Sequence, residues 1–263
     1  MFAADGFAPV PQLPQLTKPL QSTAGLRHLV EDALPALGLA LTATQIDALM
    51  SYLDLISKWT RVYNLTAVRD PAEMVTHHLL DCLAAIAPLA AHFETIRAGR
   101  LAAPMLVPDV PAVPARQSIR LLDVGSGAGL PGVIMAICFP EVSVTCVDTV
   151  AKKAAFINQV ALTLKLPNLI GLQARVEALV APAYAPFDVV SSRAFASLAD
   201  FTGWSRGALK EGGVWLAMKG QHPQTEIKAL PQDIKVFHVE QLKVPNLAAE
   251  RCLVWMRRAA AIP

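Results

Sequence analysis

The sequence predicts a doubly wound α/β domain in the C-terminal half of the chain, preceded by an all-helical segment. Three observations carry that prediction. From Ile119 onward, short β-branched runs alternate with helical stretches. A glycine-rich turn follows the first of those runs. Before residue 97, apolar residues recur only at helical spacing.

Residues 1–21 are rich in Pro, Gln and Ala without apolar periodicity and are expected to form a mobile tail. A helical segment over 22–97 comes next. Leu26, Leu29, Val30, Ala33 and Leu34 share one helix face until Pro35 breaks it. Thr42 or Thr44 is a candidate N-cap for a helix through Ile46, Leu49, Met50, Leu53 and Ile56. Pro71 suits the first turn of a further helix through Met74, His78, Leu79 and Cys82. Residues 98–118 carry four prolines and little charge, which predicts a linker or surface insertion stiffened by proline.

The α/β domain is expected over 119–258. Strands are predicted at Ile119–Val124, Val142–Val147, Leu169–Leu172, Phe187–Ser191, Val214–Met218, Ile234–Val239 and Leu253–Met256. Helices are predicted at about Pro131–Phe139, through Lys152, Phe156 and Val160, and from Leu198 to Leu209 with Gly212-Gly213 as the stop. Strands buried on both faces imply a mostly parallel sheet. The short link between the last two favours an antiparallel pairing at its end, giving seven strands in all.

Composition narrows the class. The 263 residues are 54% hydrophobic and 17% charged, enough for a large core. No run offers the ~20 uninterrupted apolar residues of a spanning helix; Leu130–Val147 is cut by Pro131, Pro140 and Glu141. The start Met1-Phe2-Ala3-Ala4-Asp5 lacks a basic n-region, so a soluble cytoplasmic enzyme is expected. Cys82, Cys138, Cys146 and Cys252 form no CxxC and no metal spacing, which predicts buried thiols and no metal site. A net charge of +2 excludes a strongly basic nucleic-acid coat but leaves room for a local patch.

The sharpest motif is LLDVGSGAGLPG over 121–132. Its glycines let backbone approach a ligand closely and turn into a helix whose amides face it. Gly127, Gly129 and Gly132 satisfy the dinucleotide pattern GxGxxG. Two details favour S-adenosylmethionine instead. Gly125 follows the strand directly and sets a GxGxG phase, and Asp123 at the strand end would repel a pyrophosphate. Asp148, closing the second strand 23 residues beyond Gly125, can accept hydrogen bonds from both ribose hydroxyls of either ligand. Leu209-Lys210-Glu211-Gly212-Gly213 before a strand adds modest support.

With these motifs in order, the chain resembles the bacterial small-subunit ribosomal RNA methyltransferase G family, also called glucose-inhibited division protein B. The matching stretches are KWTRVYNLTAVRDPAEMVTHHLLD (58–81), LLDVGSGAGLPG (121–132), CVDTVAKKAAF (146–156), FDVVSSRAFASLADF (187–201), LAMKG (216–220) and VPNLAAER (244–251). The resemblance implies a class I, Rossmann-like methyltransferase fold. It also implies transfer of a methyl group from S-adenosylmethionine to N7 of a guanine in the 530 loop of 16S rRNA. The partner it implies is 16S rRNA, the 30S subunit or its assembly intermediate, met by a monomer without a membrane.

On the family pattern Gly125 and Leu130 line the cofactor and Val176 and Glu177 meet its adenine, joining Gly127 and Asp148, which the motif and its spacing already assign to cofactor binding. Arg193 approaches the cofactor from the fourth strand, and Asn64, His78, Arg193 and Lys219 border the RNA-facing cleft. The chain departs from the family at His77, where Arg is frequent, and at Cys252, where His is frequent. Lys58, Arg61 and Arg69 around Trp59 and Tyr63 can grip RNA phosphates or form a solvated helix face.

Guanine N7 carries an exposed lone pair, so no general base is required and none is evident. Ser192-Arg193-Ala194-Phe195 replaces the Asn/Asp-Pro-Pro-aromatic motif of exocyclic-amine methylation, and no Pro-Cys pair supplies a cytosine-C5 nucleophile. Phe195 either stacks on the target base or belongs to the core. A methyltransferase of another substrate and an NAD(P)-binding oxidoreductase are the alternative readings.

Overall fold

The structure, a computed structural model, describes residues 23–102 and 118–259. The predicted tail over 1–21 and most of the predicted linker lie outside them.

Helix α1 spans Thr23–Ala33 and α2 spans Ala43–Tyr63. The start of α2 is a capping box: the Gln45 amide donates to Thr42 Oγ1, and Thr42 N donates to Gln45 Oε1 at 2.9 Å. Asn64 ends it in the left-handed region at φ 50°. Asp70 then accepts from the amides of Ala72 and Glu73, with Pro71 in the first turn, and starts a long helical rod.

That rod runs through α3 (Pro71–Met74), a π-helical turn (Val75–Leu80), α4 (Asp81–Leu83) and α5 (Ile86–Ala102). It reaches Ala102, so residues 98–102 of the expected linker are helical. Ala, Arg and Leu continue a helix readily, and the first proline of the segment is Pro104. Pro71–Arg100 is also long and apolar enough to cross a membrane by length and composition, which the search for uninterrupted apolar runs missed. Its apolar residues, including Met74, Leu79, Leu83, Leu89 and Phe93, are buried in the protein core.

The remaining elements are β1 (Arg120–Val124), α6 (Gly132–Cys138), β2 (Ser143–Asp148), α7 (Ala151–Thr163), β3 (Leu169–Gln173) and β4 (Phe187–Arg193). They continue with α8 (Leu198–Trp204), β5 (Leu209–Lys219), α9 (Gln224–Lys228), β6 (Ile234–Leu242) and β7 (Arg251–Arg258). The seven strands lie in the order β3-β2-β1-β4-β5-β7-β6. β1 to β5 pair in parallel, and β7 runs antiparallel to both β5 and β6. This is the sheet of class I methyltransferases. The strand order reverses between β1 and β4, so ligands are expected outside the carboxyl ends of β1, β2 and β4.

One predicted element is wrong. α8 stops at Trp204 instead of reaching Leu209, and Gly212-Gly213 is no helix cap but lies inside β5. The pairing jumps from Phe187↔Leu209 to Val189↔Val214, so the residues between bulge out. Gly212 sits there at φ 74°, and a Cβ on Gly213 would stand 2.9 Å from the Asp188 carbonyl oxygen. The glycines serve the bulge.

Adjacent strand residues face opposite layers. Leu121, Val144, Val189 and Leu216 belong to a core shared with α1, α2, the rod, α6 and α7. Leu122, Val190, Trp215 and Val254 belong to the opposite core, with Leu198 and Phe201 of α8. The N-terminal helices therefore complete one layer of the α/β sandwich. Arg100 Nη2 adds a polar tie to Asp188 Oδ1 on β4 at 2.6 Å.

Candidate functional site

The β1–α6 turn is held on every side. The amides of Gly125 and Ser126 donate to the Val147 carbonyl at 2.9 and 3.3 Å, and the Gly127 amide donates to Asp148 Oδ2 at 3.1 Å. Gly125 takes φ 66°, and a Cβ there would meet Phe195 Cδ2 at 2.2 Å. Glycine is thus required twice at this position, by its dihedral and by the ring against it.

Asp123 braces the turn from behind. Its carboxylate is fully buried and accepts from the Gly132 amide at 3.0 Å and from Ser191 Oγ at 3.1 Å. Burial pushes its pKa up to about 7, against the pull of those two donors. Placing Asp123 beside the ligand needs correction, since it points into the loop. The consequence for ligand choice survives in a different form. The helix amide that a dinucleotide phosphate would seek is already taken by a carboxylate oxygen.

In front of the turn lies a cavity of about 470 Å³, bordered by Gly125, Asp148, Val176, Glu177, Phe195 and Trp204 among others. Asp148 accepts from the Val150 amide at 2.9 Å and from Lys153 Nζ at 3.3 Å as well as from Gly127, which fixes its carboxylate at the rim. Opposite it, Phe195 meets Trp204 edge-on at 5.8 Å and Phe201 at 6.4 Å. Asp148 thus offers an acceptor across from an apolar aromatic wall, in a cavity that Glu177, Lys153 and Arg175 also border. Such a cavity suits a nucleoside, whose ribose donates hydroxyls and whose base has flat apolar faces.

Of the residues predicted for cofactor binding, Gly125, Asp148, Val176 and Glu177 border this cavity, and Gly127 directs its amide to Asp148. Leu130 is buried in the core on the helical layer and does not border it. Arg193 does not border it either. Its guanidinium donates to Asp81 Oδ2 at 2.9 Å and to the His77 carbonyl at 3.0 Å, within the widened π turn. Arg251 Nε donates to the other Asp81 oxygen at 2.7 Å. One buried carboxylate thereby ties the rod to the ends of β4 and β7.

The cleft candidates are similarly engaged. His78 is buried, with Nε2 2.8 Å from Thr66 Oγ1, and burial together with nearby Arg193 lowers its pKa to about 4. Its ring is therefore neutral at physiological pH. Asn64 is exposed at the end of α2 and accepts from Arg69 Nη2 at 2.7 Å. Lys219 Nζ donates to the Ala196 carbonyl and to Glu226 Oε2, both at 2.8 Å.

Two residues escaped the sequence reading. Tyr52 is wholly buried and its hydroxyl donates to the Ala128 carbonyl at 2.6 Å, so α2 grips the glycine turn directly. The available signal was a hydroxylated aromatic on the buried stripe of α2, between Leu49 and Ile56. Trp204 borders the cavity although half-exposed, and only the sheet topology brings it there.

A family model described as rRNA small subunit methyltransferase G matches residues 45–97 and 107–254. The chain belongs to this family. It is 59% identical over 239 residues to the ribosomal RNA small subunit methyltransferase G of Acidovorax sp. (strain JS42), covering 91% of this chain and 98% of the relative. The protein of that name from Polaromonas naphthalenivorans is 59% identical over 232 residues, covering 88% and 96%. Among solved structures, TrmN from Thermus thermophilus is similar with a TM-score of 0.43 at 19% identity, covering 54% of this chain and 44% of that one. The matched span of the methyltransferase G model contains Tyr52, Asp81, Arg193 and Arg251, so the turn clamp and the carboxylate tie both lie within it.

Proposed function

We propose that this chain transfers a methyl group from S-adenosylmethionine to N7 of a guanine in the 530 loop of 16S rRNA. The observation that carries the reading is the cavity at the switch point, with Asp148 at its rim, Gly125 against Phe195, and Val176 and Glu177 on the third side. Family membership supports the rRNA methyltransferase class, and the engaged Gly132 amide weighs against a dinucleotide.

Asp148 would accept the ribose hydroxyls, Val176 and Glu177 would flank the adenine, and Gly125 and Gly127 would admit the chain that carries the sulfonium. The bound cofactor supplies an electrophilic methyl group. What the protein contributes is alignment of the guanine lone pair with that methyl, a positioning effect that can lower a barrier by ~7–11 kcal/mol. Phe195 and Trp204 keep water from that side of the cavity. Asn64, His78, Arg193 and Lys219 act by ordering the walls, since each holds another protein group. The proposed setting is the cytoplasm, with a monomer acting on the 30S subunit or its assembly intermediate.

The test is methyl transfer from labelled S-adenosylmethionine to 30S subunits and to free 16S rRNA, with the product nucleoside identified by mass spectrometry. A single 7-methylguanosine in the 530 loop is the expected result. Confirmed cofactor binding without transfer to either substrate would overturn the assignment of substrate.

A further inference from the structure

The last turn of α2 and the first turn of α7 meet beside the cavity and leave an unusual surface exposed. Residues 61–64 are all exposed; Val62 is 70% and Tyr63 41% accessible. Tyr63 is braced by Trp59, with ring centroids 5.1 Å apart, and Lys152 Nζ lies 5.8 Å from its centroid across the gap to α7. Val150 and Lys153, on either side of Lys152 in sequence, border the cavity itself. Lys152, over the ring, is thus the chain neighbour of a residue at the cavity rim.

The cations on this surface are only partly compensated. Lys58 is committed to Asp54, and Arg69 to Asn64 and the Thr60 carbonyl. Arg61 and Lys152 have no carboxylate within ion-pair distance among the described residues. One cation without an ion pair over an exposed ring, with a second in the same last turn of α2, matches a polyanion whose units also carry flat faces.

We propose that Tyr63, Arg61 and Lys152 form a docking lip for the single-stranded RNA adjoining the methylated base. Tyr63 stacks on a neighbouring base, and the two cations contact its phosphates. The proposal rests on the rRNA-methyltransferase reading and names where that substrate is gripped. The sequence singled out Lys58, Arg61 and Arg69 around Trp59 and Tyr63 as possible phosphate contacts, but only the fold brings Lys152 over Tyr63.

The experiment uses the full chain with Tyr63→Ala, Tyr63→Phe and the double variant Arg61→Glu/Lys152→Glu. KM for the ribosomal substrate and affinity for S-adenosylhomocysteine are both measured. Tyr63→Ala should raise KM about tenfold, Tyr63→Phe should restore it, and cofactor affinity should stay at the wild-type value in both. The double charge reversal should raise KM further and flatten its salt dependence. An unchanged KM in Tyr63→Ala, or a loss that follows cofactor affinity, would overturn the lip. If wild-type protein transfers no methyl group to rRNA, the functional reading fails separately. Binding of a labelled single-stranded RNA oligonucleotide to wild type and Tyr63→Ala then decides the lip, and equal affinities sink it.

Discussion

Replacing Tyr52 by Phe removes one oxygen atom and leaves the ring packed beside Phe156, so it isolates the bond to the glycine turn. The lost hydrogen bond is neutral, buried and short at 2.6 Å. Its net contribution is roughly 0.5–1.5 kcal/mol, and leaving the Ala128 carbonyl buried without that donor raises the cost to about 1–3 kcal/mol. For a chain of this length each kcal/mol corresponds to roughly 2–4 °C in Tm. The turn also presents Gly125 to the cavity and holds Asp148 at its rim through the Gly127 amide, so part of the loss should reach the ligand. If about 1 kcal/mol is spent re-ordering the turn on binding, affinity falls about fivefold. Thermal melts and titration calorimetry with S-adenosylhomocysteine measure the two effects on one sample. A Tm drop with affinity within twofold of wild type would show that Tyr52 only packs, and would refute its role in shaping the turn.

Other substitutions test the remaining supports. Gly125→Ala places a methyl group on Phe195 at a left-handed dihedral and should abolish measurable cofactor binding, while Gly203→Ala, whose Cβ meets nothing within 4 Å, should bind normally in the same calorimetric assay. Asp81→Asn leaves Arg193 and Arg251 without their shared anion and should cost about 3 kcal/mol in urea denaturation. Asp123 has a folded pKa of about 7 against 3.8 unfolded, so its contribution is complete below pH 3.8 and is lost as pH rises through 7. His78, lowered to about 4 from 6.5, contributes above pH 6.5 and loses its contribution as pH falls through 4. Asp123→Asn should therefore make stability between pH 4 and 7 decline less with rising pH, as read from denaturation midpoints; an unchanged profile would show that Asp123 keeps its ordinary acidity.

The strand–helix alternation and the glycine turn were legible because both are local patterns: β-branched runs have period two, and GSGAG must turn. The N-cap of α2 was legible only as Thr42 or Thr44, and the box between Thr42 and Gln45 decides for Thr42. The helix predicted up to Leu209 failed because Gly-Gly ends helices and bulges strands alike, and only the pairing of β5 with β4 distinguishes them. At the site, Val176 and Glu177 came only from the family resemblance, whereas Asp148 closes a strand and could be located by counting. Trp204 and Tyr52 could not, because each reaches the site across the fold: Tyr52 and Ala128 are 76 residues apart. Arg193 was found as a residue but not its orientation, which depends on a carboxylate 112 residues earlier.

That carboxylate has a consequence for how the chain is made. Asp81 is synthesised early, yet its partners Arg193 and Arg251 follow 112 and 170 residues later. At roughly 5–20 residues per second, the second arginine emerges on the order of 10–30 s after the aspartate. During that interval β1 to β5 emerge and can begin to cover the rod's apolar face, but its polar seat stays incomplete because the strand carrying the second arginine is missing. Only when β7 is added beside β5 do both guanidinium groups close on the one anion. The last strand to be translated is thus the one that locks the first half of the molecule.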